Sequence, residues 1–317
     1  MRGEPRAFAM SITPFDEAHR LDEAALRRHL RRMVDAGAGV YLGSPGTGEG
    51  HALSPAELRK VYEIGVAECK GKVPVYANPP EARTAEQMYA RVLAAHEAGV
   101  DLVQIYTVDA GHGMRPTARE QEVYYRELLD EVSFPVGLSI NTLAGGYVNP
   151  VPLLVRLVRD YPQIRCVNVN HPPTSALAEL VEELGDRVEY YTDAFMYPEA
   201  LALGASGCLT GHVNVVPNLI RAIGRLLVRG DAEAGADALL RLFRLNRVVA
   251  SFGTDALPQN WSGRWVKAAM AALELPGHGD GRMRRPYASP STQDIEELAT
   301  ALRPLDIPGL EEAARSW

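Results

Sequence analysis

Residues 136–170, VGLSINTLAGGYVNPVPLLVRLVRDYPQIRCVNVN, hold the pattern on which the fold turns. A short run, Val136–Asn141, is followed by the apolar-periodic stretch Val151–Asp160 and by a second short run, Arg165–Asn170. Strand, helix and strand in that order read as one parallel β–α–β unit. Within the second strand, alternation sends Val167 and Val169 towards the helices and Cys166, Asn168 and Asn170 to the other face. In the first, Leu138 and Ile140 take the helix side and leave Ser139 and Asn141 facing in.

The same unit recurs on both sides. Strand-like runs lie at Ala7–Thr13, Gly39–Gly43, Val73–Asn78, Leu102–Thr107, Val188–Asp193 and Gly207–His212. Helical periodicity covers Asp22–Ala36, Pro55–Cys69, Ala85–Ala98, Ala118–Glu131, Ser175–Leu184 and Pro198–Leu203. Their boundaries carry local signals. Ser54, Pro55 and Glu57 read as an N-cap, a first-turn proline and a capping-box acid, and Gly37 and Gly99 as helix ends. Eight strands joined by helical crossovers make an α/β fold, with a (β/α)8 TIM barrel as the economical closure and a doubly wound open sheet as the alternative. After His212 the chain turns helical over Val216–Arg229, Ala232–Ser251 and Trp261–Leu273, with terminal helices at Asp294–Leu302 and Gly309–Ser316. We assign residues 1–230 to the barrel and 231–317 to a C-terminal helical cap packed on it. No low-complexity linker separates them, so they form one structural unit.

Composition excludes several classes. A hydrophobic content of 46% supports a large core, and a net charge of −7 argues against nucleic acid as a partner. Cys69, Cys166 and Cys208 are widely spaced without a CxxC pair, as in a reducing compartment. No apolar run reaches the ~18 residues of a membrane span. The charged stretch Met1 to Arg6 is not followed by a long apolar run, so no signal peptide is expected and the location expected is cytoplasmic.

Active sites of such barrels gather at the C-terminal ends of the strands. After the second strand, Gly43 to Gly50 holds four glycines and Thr47. The loop reads either as a carboxylate cradle of backbone N–H groups or as a tight turn that needs glycine. Asp193, His171 and His212 fall at or just past strand ends. His171 reads either as an acid–base group or as a cap on the turn before Pro172, and His212 either as an acid–base group or as a satisfied structural histidine. Two histidines and an acid this far apart lack a metal-ligand motif, and neither metal nor cofactor is expected.

Four segments carry a resemblance. SITPFDEAHRLDEAAL (11–26), GTGEGHALSPAEL (46–58), DAFMYPEALALGASGCLTGHVNVVP (193–217), and VKAAMAALEL (266–275) with RRPYASPS (284–291) resemble the dihydrodipicolinate synthase / N-acetylneuraminate lyase family. The likeness runs with gaps from Ala7 to Pro290. It implies a strand-six lysine that forms an imine with pyruvate or a related 2-keto acid, a strand-five tyrosine that relays protons, and a glycine loop with paired hydroxyls. Aligned to that pattern, Asn168 stands at the lysine, and Ser139, or Ile140 with a different gap, at the tyrosine. Gly46 and Thr47 stand at the hydroxyl pair. The tyrosine pair after strand four is missing from TVDAGHGMRPT (107–117), and no arginine stands near Leu143 and Ala144. Glu49, Thr47–Gly48 and the Gly204–Gly207 turn are kept.

The chain has four lysines, Lys60, Lys70, Lys72 and Lys267, none in a strand-like run. Lys60 belongs to an exposed helix, Lys70 and Lys72 to the opposite end of the barrel, and Lys267 to the cap. An amine is therefore not expected in the lumen, which argues against a misaligned Schiff-base aldolase. The resemblance then implies a divergent lyase of aldolase or hydratase type, acting without a lysine imine on a small keto-acid-like or carboxylated carbonyl compound. The alternative is a non-catalytic small-molecule-binding or regulatory homologue. The expected catalytic groups are Asn168, Ser139, His212 and His171. The expected substrate-binding groups are Gly46, Thr47, Gly48, Asn141, Asn170 and Asp193. The expected partners are a small-molecule substrate and, by resemblance, further copies of the chain as a dimer or tetramer, with neither nucleic acid nor membrane.

Overall fold

In the computed structural model, which describes residues 3–140, 148–170, 174–252 and 262–317, eight parallel strands close on themselves in sequence order. They are β1 (Arg6–Met10), β2 (Gly39–Leu42), β3 (Val75–Ala77), β4 (Leu102–Ile105), β5 (Val136–Ser139), β6 (Ile164–Val169), β7 (Glu189–Thr192) and β8 (Gly207–Thr210). Phe8 pairs with Gly39 on one side and Leu209 on the other, which closes the barrel. The open-sheet alternative is excluded.

The strands stop earlier than the apolar runs do, because the residues beyond them leave the ladder for the mouth. Thr13, read as the end of the first strand, instead donates its hydroxyl to Gly48 O at 2.7 Å. Asn78 and Tyr106 bond to each other just past the ends of the neighbouring strands β3 and β4.

Helices α1 (Glu23–Asp35), α2 (Pro55–Cys69), α3 (Ala85–Glu97), α4 (Ala118–Glu131), α5 (Val151–Asp160), α6 (Thr174–Leu184), α7 (Tyr197–Leu203) and α8 (Pro217–Val228) surround the barrel. Local chemistry starts and stops them. Ser54 and Glu57 form the expected capping box on α2, and Thr117 and Glu120 form another on α4. Gly37 and Gly99 take the left-handed conformation just past α1 and α3, with φ of 66° and 95°. Leu138, Ile140, Val167 and Val169 pack outwards with the helices in one continuous core, as alternation required.

Four further helices follow: α9 (Ala232–Ala250), α10 (Ser262–Ala272), α11 (Thr292–Leu302) and α12 (Ile307–Ala314). Charge fastens α12 to the barrel. The Glu311 carboxylate accepts from the backbone N–H groups of Asn218 and Leu219 in the first turn of α8, where the helix dipole favours an anion. Arg225 of α8 reaches back to the carbonyls of Ala314 and Trp317. No described helix is long and apolar enough to cross a membrane.

Candidate functional site

The lower half of the lumen is solid. Phe8, Tyr41, Tyr76 and Tyr191 point inwards from four strands and form one cluster with Leu102, Cys166 and Leu209. Phe8 stacks on Tyr76 at 4.7 Å between ring centres and meets Tyr41 and Tyr191 edge-on. Two of the polar tips have partners. Tyr41 Oη lies 3.7 Å from Cys166 Sγ, and Tyr191 donates to Glu189 at 2.6 Å. Arg6 closes the floor on Glu189 at 2.7 Å. Burial pushes the Cys166 thiol up to about 12, so it is not a thiolate at neutral pH. A ligand can enter only above this layer.

The upper half is lined by amides. Gln104 on β4 and Asn168 on β6 are separated by a whole strand, yet Asn168 Nδ2 donates to Gln104 Oε1 at 2.6 Å. They meet because the intervening strand presents Gly137. A Cβ there would lie 2.5 Å from Cys166 Sγ and 3.0 Å from Gln104 Oε1. Gln104 in turn donates from Nε2 to the Ile105 carbonyl at 3.0 Å. Ser139 lies beside Asn168 in register, and both are buried. Asn78 Nδ2 donates to the Tyr106 hydroxyl at 2.9 Å, and burial raises the Tyr106 pKa, keeping it neutral. Asn78 Oδ1, Asn168 Oδ1 and Asn170 Oδ1 are all buried without a hydrogen-bond partner.

The glycine loop forms the rim. Gly48 N donates to Ser44 Oγ at 3.0 Å, and Gly50 N to the Ser44 carbonyl at 2.9 Å. Gly48 has no room for a side chain, since a Cβ would lie 2.9 Å from Ser11 O and from Ser44 N. Gly46 and Thr47 present their carbonyls to Gly263 at the start of α10, and Thr47 is fully buried.

The loop ends on Glu49, which carries a positive φ of 52° and is fully buried. Its carboxylate pairs with Lys267 of α10 and also accepts from Arg284 N at 2.9 Å. Lys267, read from sequence as a cap lysine, is therefore a buried ammonium beside the mouth. Its other contacts are the Arg282 carbonyl at 2.9 Å and the face of Phe15 at 4.3 Å. Burial pushes its pKa down, and the Glu49 carboxylate opposes that shift. Arg284 completes the clamp by bonding His19 O and Glu57.

The expected residues are not all in one place. Asn168 and Ser139 lie side by side on β6 and β5, Asn170 follows β6 with its Oδ1 buried, and Gly46, Thr47 and Gly48 belong to the glycine loop after β2. His212 sits between the end of β8 and helices α9 and α10. Its Nδ1 faces Thr210 Oγ1 at 3.0 Å, its Nε2 faces Asn246 Oδ1 at 3.1 Å, and Trp265 and Phe195 flank the ring. Burial lowers its pKa, with Asp193 opposing, so the ring is held neutral. Asp193 accepts from Phe195 N at 2.9 Å, as the cap of a short turn. Asn141 and His171 lie outside the described residues.

Sequence reasoning passed over Gln104, Asn78 and Tyr106. The usable signal was alternation carried one strand further, because Leu102 inward puts Gln104 and Tyr106 inward too. Among the described residues, no three His, Cys, Asp or Glu side chains are grouped as metal ligands would be.

A family model for the dihydrodipicolinate synthetase family matches residues 5–305. The 4-hydroxy-tetrahydrodipicolinate synthase of Methanococcus aeolicus is 25% identical over 297 residues, which cover 93% of this chain and 97% of the relative. The synthase of the same name from Nitratidesulfovibrio vulgaris is 28% identical over 282 residues, 88% and 91% of the two chains. Among solved structures, the 4-hydroxy-tetrahydrodipicolinate synthase of Methylacidiphilum fumariolicum gives a TM-score of 0.82 at 22% identity, covering 98% of this chain and 99% of that one. A Pseudomonas aeruginosa structure described as a putative dihydrodipicolinate synthetase also scores 0.82 at 22%, over 96% and 100% of the chains. At that identity the structural likeness speaks for the fold.

Proposed function

The chain belongs to the dihydrodipicolinate synthetase family and has its lyase fold; from that premise we propose that it is a divergent lyase, of aldolase or hydratase type, that works on a small carboxylated carbonyl compound without a lysine imine. One observation carries this reading. The inward position of β6 holds Asn168, an amide already bonded to Gln104, while each lysine is engaged elsewhere. Lys60 pairs with Glu63, Lys70 with Asp101, Lys72 with the Glu68 carbonyl and Lys267 with Glu49. Imine formation needs a free, neutral amine within reach of the carbonyl carbon.

In this reading the ligand carboxylate sits on the Gly46–Gly48 rim. Ser139, Asn168 and Asn170 hold its inner end, and Asn141, which follows Ile140 in sequence, is assigned to the same ligand. Asp193 borders the pocket at the end of β7. Proton transfer falls to His171, which follows Asn170 directly in sequence, in preference to His212, whose two ring nitrogens are both engaged. Relatives of this family bear the name of a synthase, and the expectation that copies of this chain associate as dimers or tetramers is part of the same proposal.

The test is reductive trapping. Purified protein mixed with pyruvate and borohydride should show no added mass on any lysine, alongside turnover in a panel of hydroxy and keto acids. A trapped pyruvyl-lysine would overturn the reading. Tight binding without turnover of any acid would select the second reading, a binding or regulatory homologue. The neutral, amide-lined character of the pocket favours that reading over a misread aldolase.

A further inference from the structure

The amide chain in the upper lumen has a direction. The Ile105 carbonyl can only accept, so the Gln104 amide that faces it presents Nε2. Gln104 Oε1 is thereby turned to Asn168, which must present Nδ2. Asn168 cannot flip without losing that bond. Its Oδ1 is fixed as an acceptor, buried and without a donor, on a residue that is 3% exposed. Asn78 Oδ1 and Asn170 Oδ1 are also buried without a hydrogen-bond partner. Buried acceptors of this kind normally find a partner.

A carbonyl or carboxylate oxygen placed against Asn168 Oδ1 would bring lone pairs together. A hydroxyl group would supply the missing proton. An ammonium would supply one too, but Gln104, Cys166 and Ser139 around Asn168 are neutral, and a buried cation without a counter-charge is costly. We propose that Asn168 is a specificity-determining residue that accepts a hydrogen bond from a ligand hydroxyl, and that the lumen selects hydroxylated carboxylic acids over simple 2-keto acids. Gln104 is its positioning residue. This deepens the reading above and rests on its premise that a small carboxylate enters the lumen.

The experiment is calorimetric titration of the full chain with D-glycerate, L-lactate, pyruvate and propionate. Glycerate or lactate should bind at least about tenfold more tightly than pyruvate and propionate, since a site built for a hydroxyl leaves its polar group unpaired with an analogue that lacks one. Asn168→Leu should abolish that preference while propionate affinity stays within about twofold. Gln104→Met, which frees the Asn168 amide to turn, should shrink the preference several-fold and leave both classes bound. It serves as the second arm where the leucine variant does not fold. Affinities for both hydroxy acids no better than that for pyruvate, a preference that survives Asn168→Leu, or binding of none of the four acids would each overturn the proposal. A lysine adduct in the trapping experiment sinks the imine-free reading alone, and equal hydroxy- and keto-acid affinities sink this one alone.

Discussion

Below Cys166 the lumen is filled by aromatic rings, with the Tyr41 and Tyr191 hydroxyls engaged; above it, Gln104, Asn168, Asn170, Asn78 and Tyr106 leave three buried amide oxygens without any partner. Both halves come from the same strands and the same two-residue alternation. The difference lies in what each inward position carries. Aromatic side chains fill volume and gain from contact with one another, so the lower half closes the barrel. Amides are satisfied only by complementary partners, so the upper half holds the fold less strongly and waits for something to complete it.

The contrast can be broken at three places. The largest effect is expected from Phe8→Ala in the lower half. Removing the ring that meets Tyr41, Tyr76 and Tyr191 should cost about 3–5 kcal/mol in denaturant unfolding. A loss below about 1 kcal/mol would mean that the aromatic layer does not carry the barrel. Gly137→Ala, at the boundary, should cost about 1–3 kcal/mol, because the added methyl meets Cys166 Sγ and Gln104 Oε1. It should also loosen the Gln104–Asn168 bond, visible as faster exchange of the side-chain amide protons. An unchanged exchange rate would show that the strand spacing accommodates the methyl. The smallest effect is expected in the upper half. Asn168→Leu should shift stability by no more than about 1 kcal/mol, since one orphaned acceptor, Asn168 Oδ1, is exchanged for another, Gln104 Oε1, and the leucine adds apolar burial. A loss as large as that of Phe8→Ala would erase the distinction between the halves.

The sequence supports these regions unequally. Strand alternation in RCVNVN is enough to turn Asn168 inwards, because the period is two and Val167 and Val169 need the helix side. The capping box at Ser54 and the helix-ending glycines are local signals, and local signals survive folding. Gln104 was harder to see. It sits in LVQIYT, which reads as a buried strand, and its partner Asn168 is 64 residues away. Lys267 was harder still. On a helical face a lysine reads as solvated, and only Glu49, 218 residues earlier, makes burial tolerable. His212 shows the reverse. Its place at a strand end marks it as a candidate, but Asn246 and Trp265, which engage its ring, come from α9 and α10. Pairings between distant elements are set by how the barrel closes and how the helices beyond it lie, and no short stretch encodes them.

The clamp on Glu49 orders events as well as atoms. Its two arms, Lys267 and the backbone of Arg284, are 218 and 235 residues further along the chain. A ribosome working from the N-terminus releases all eight strands before either arm exists. The rim loop must therefore spend most of synthesis with its carboxylate unclaimed. Its finished shape is acquired only when residue 284 has emerged, after every strand of the barrel has been made.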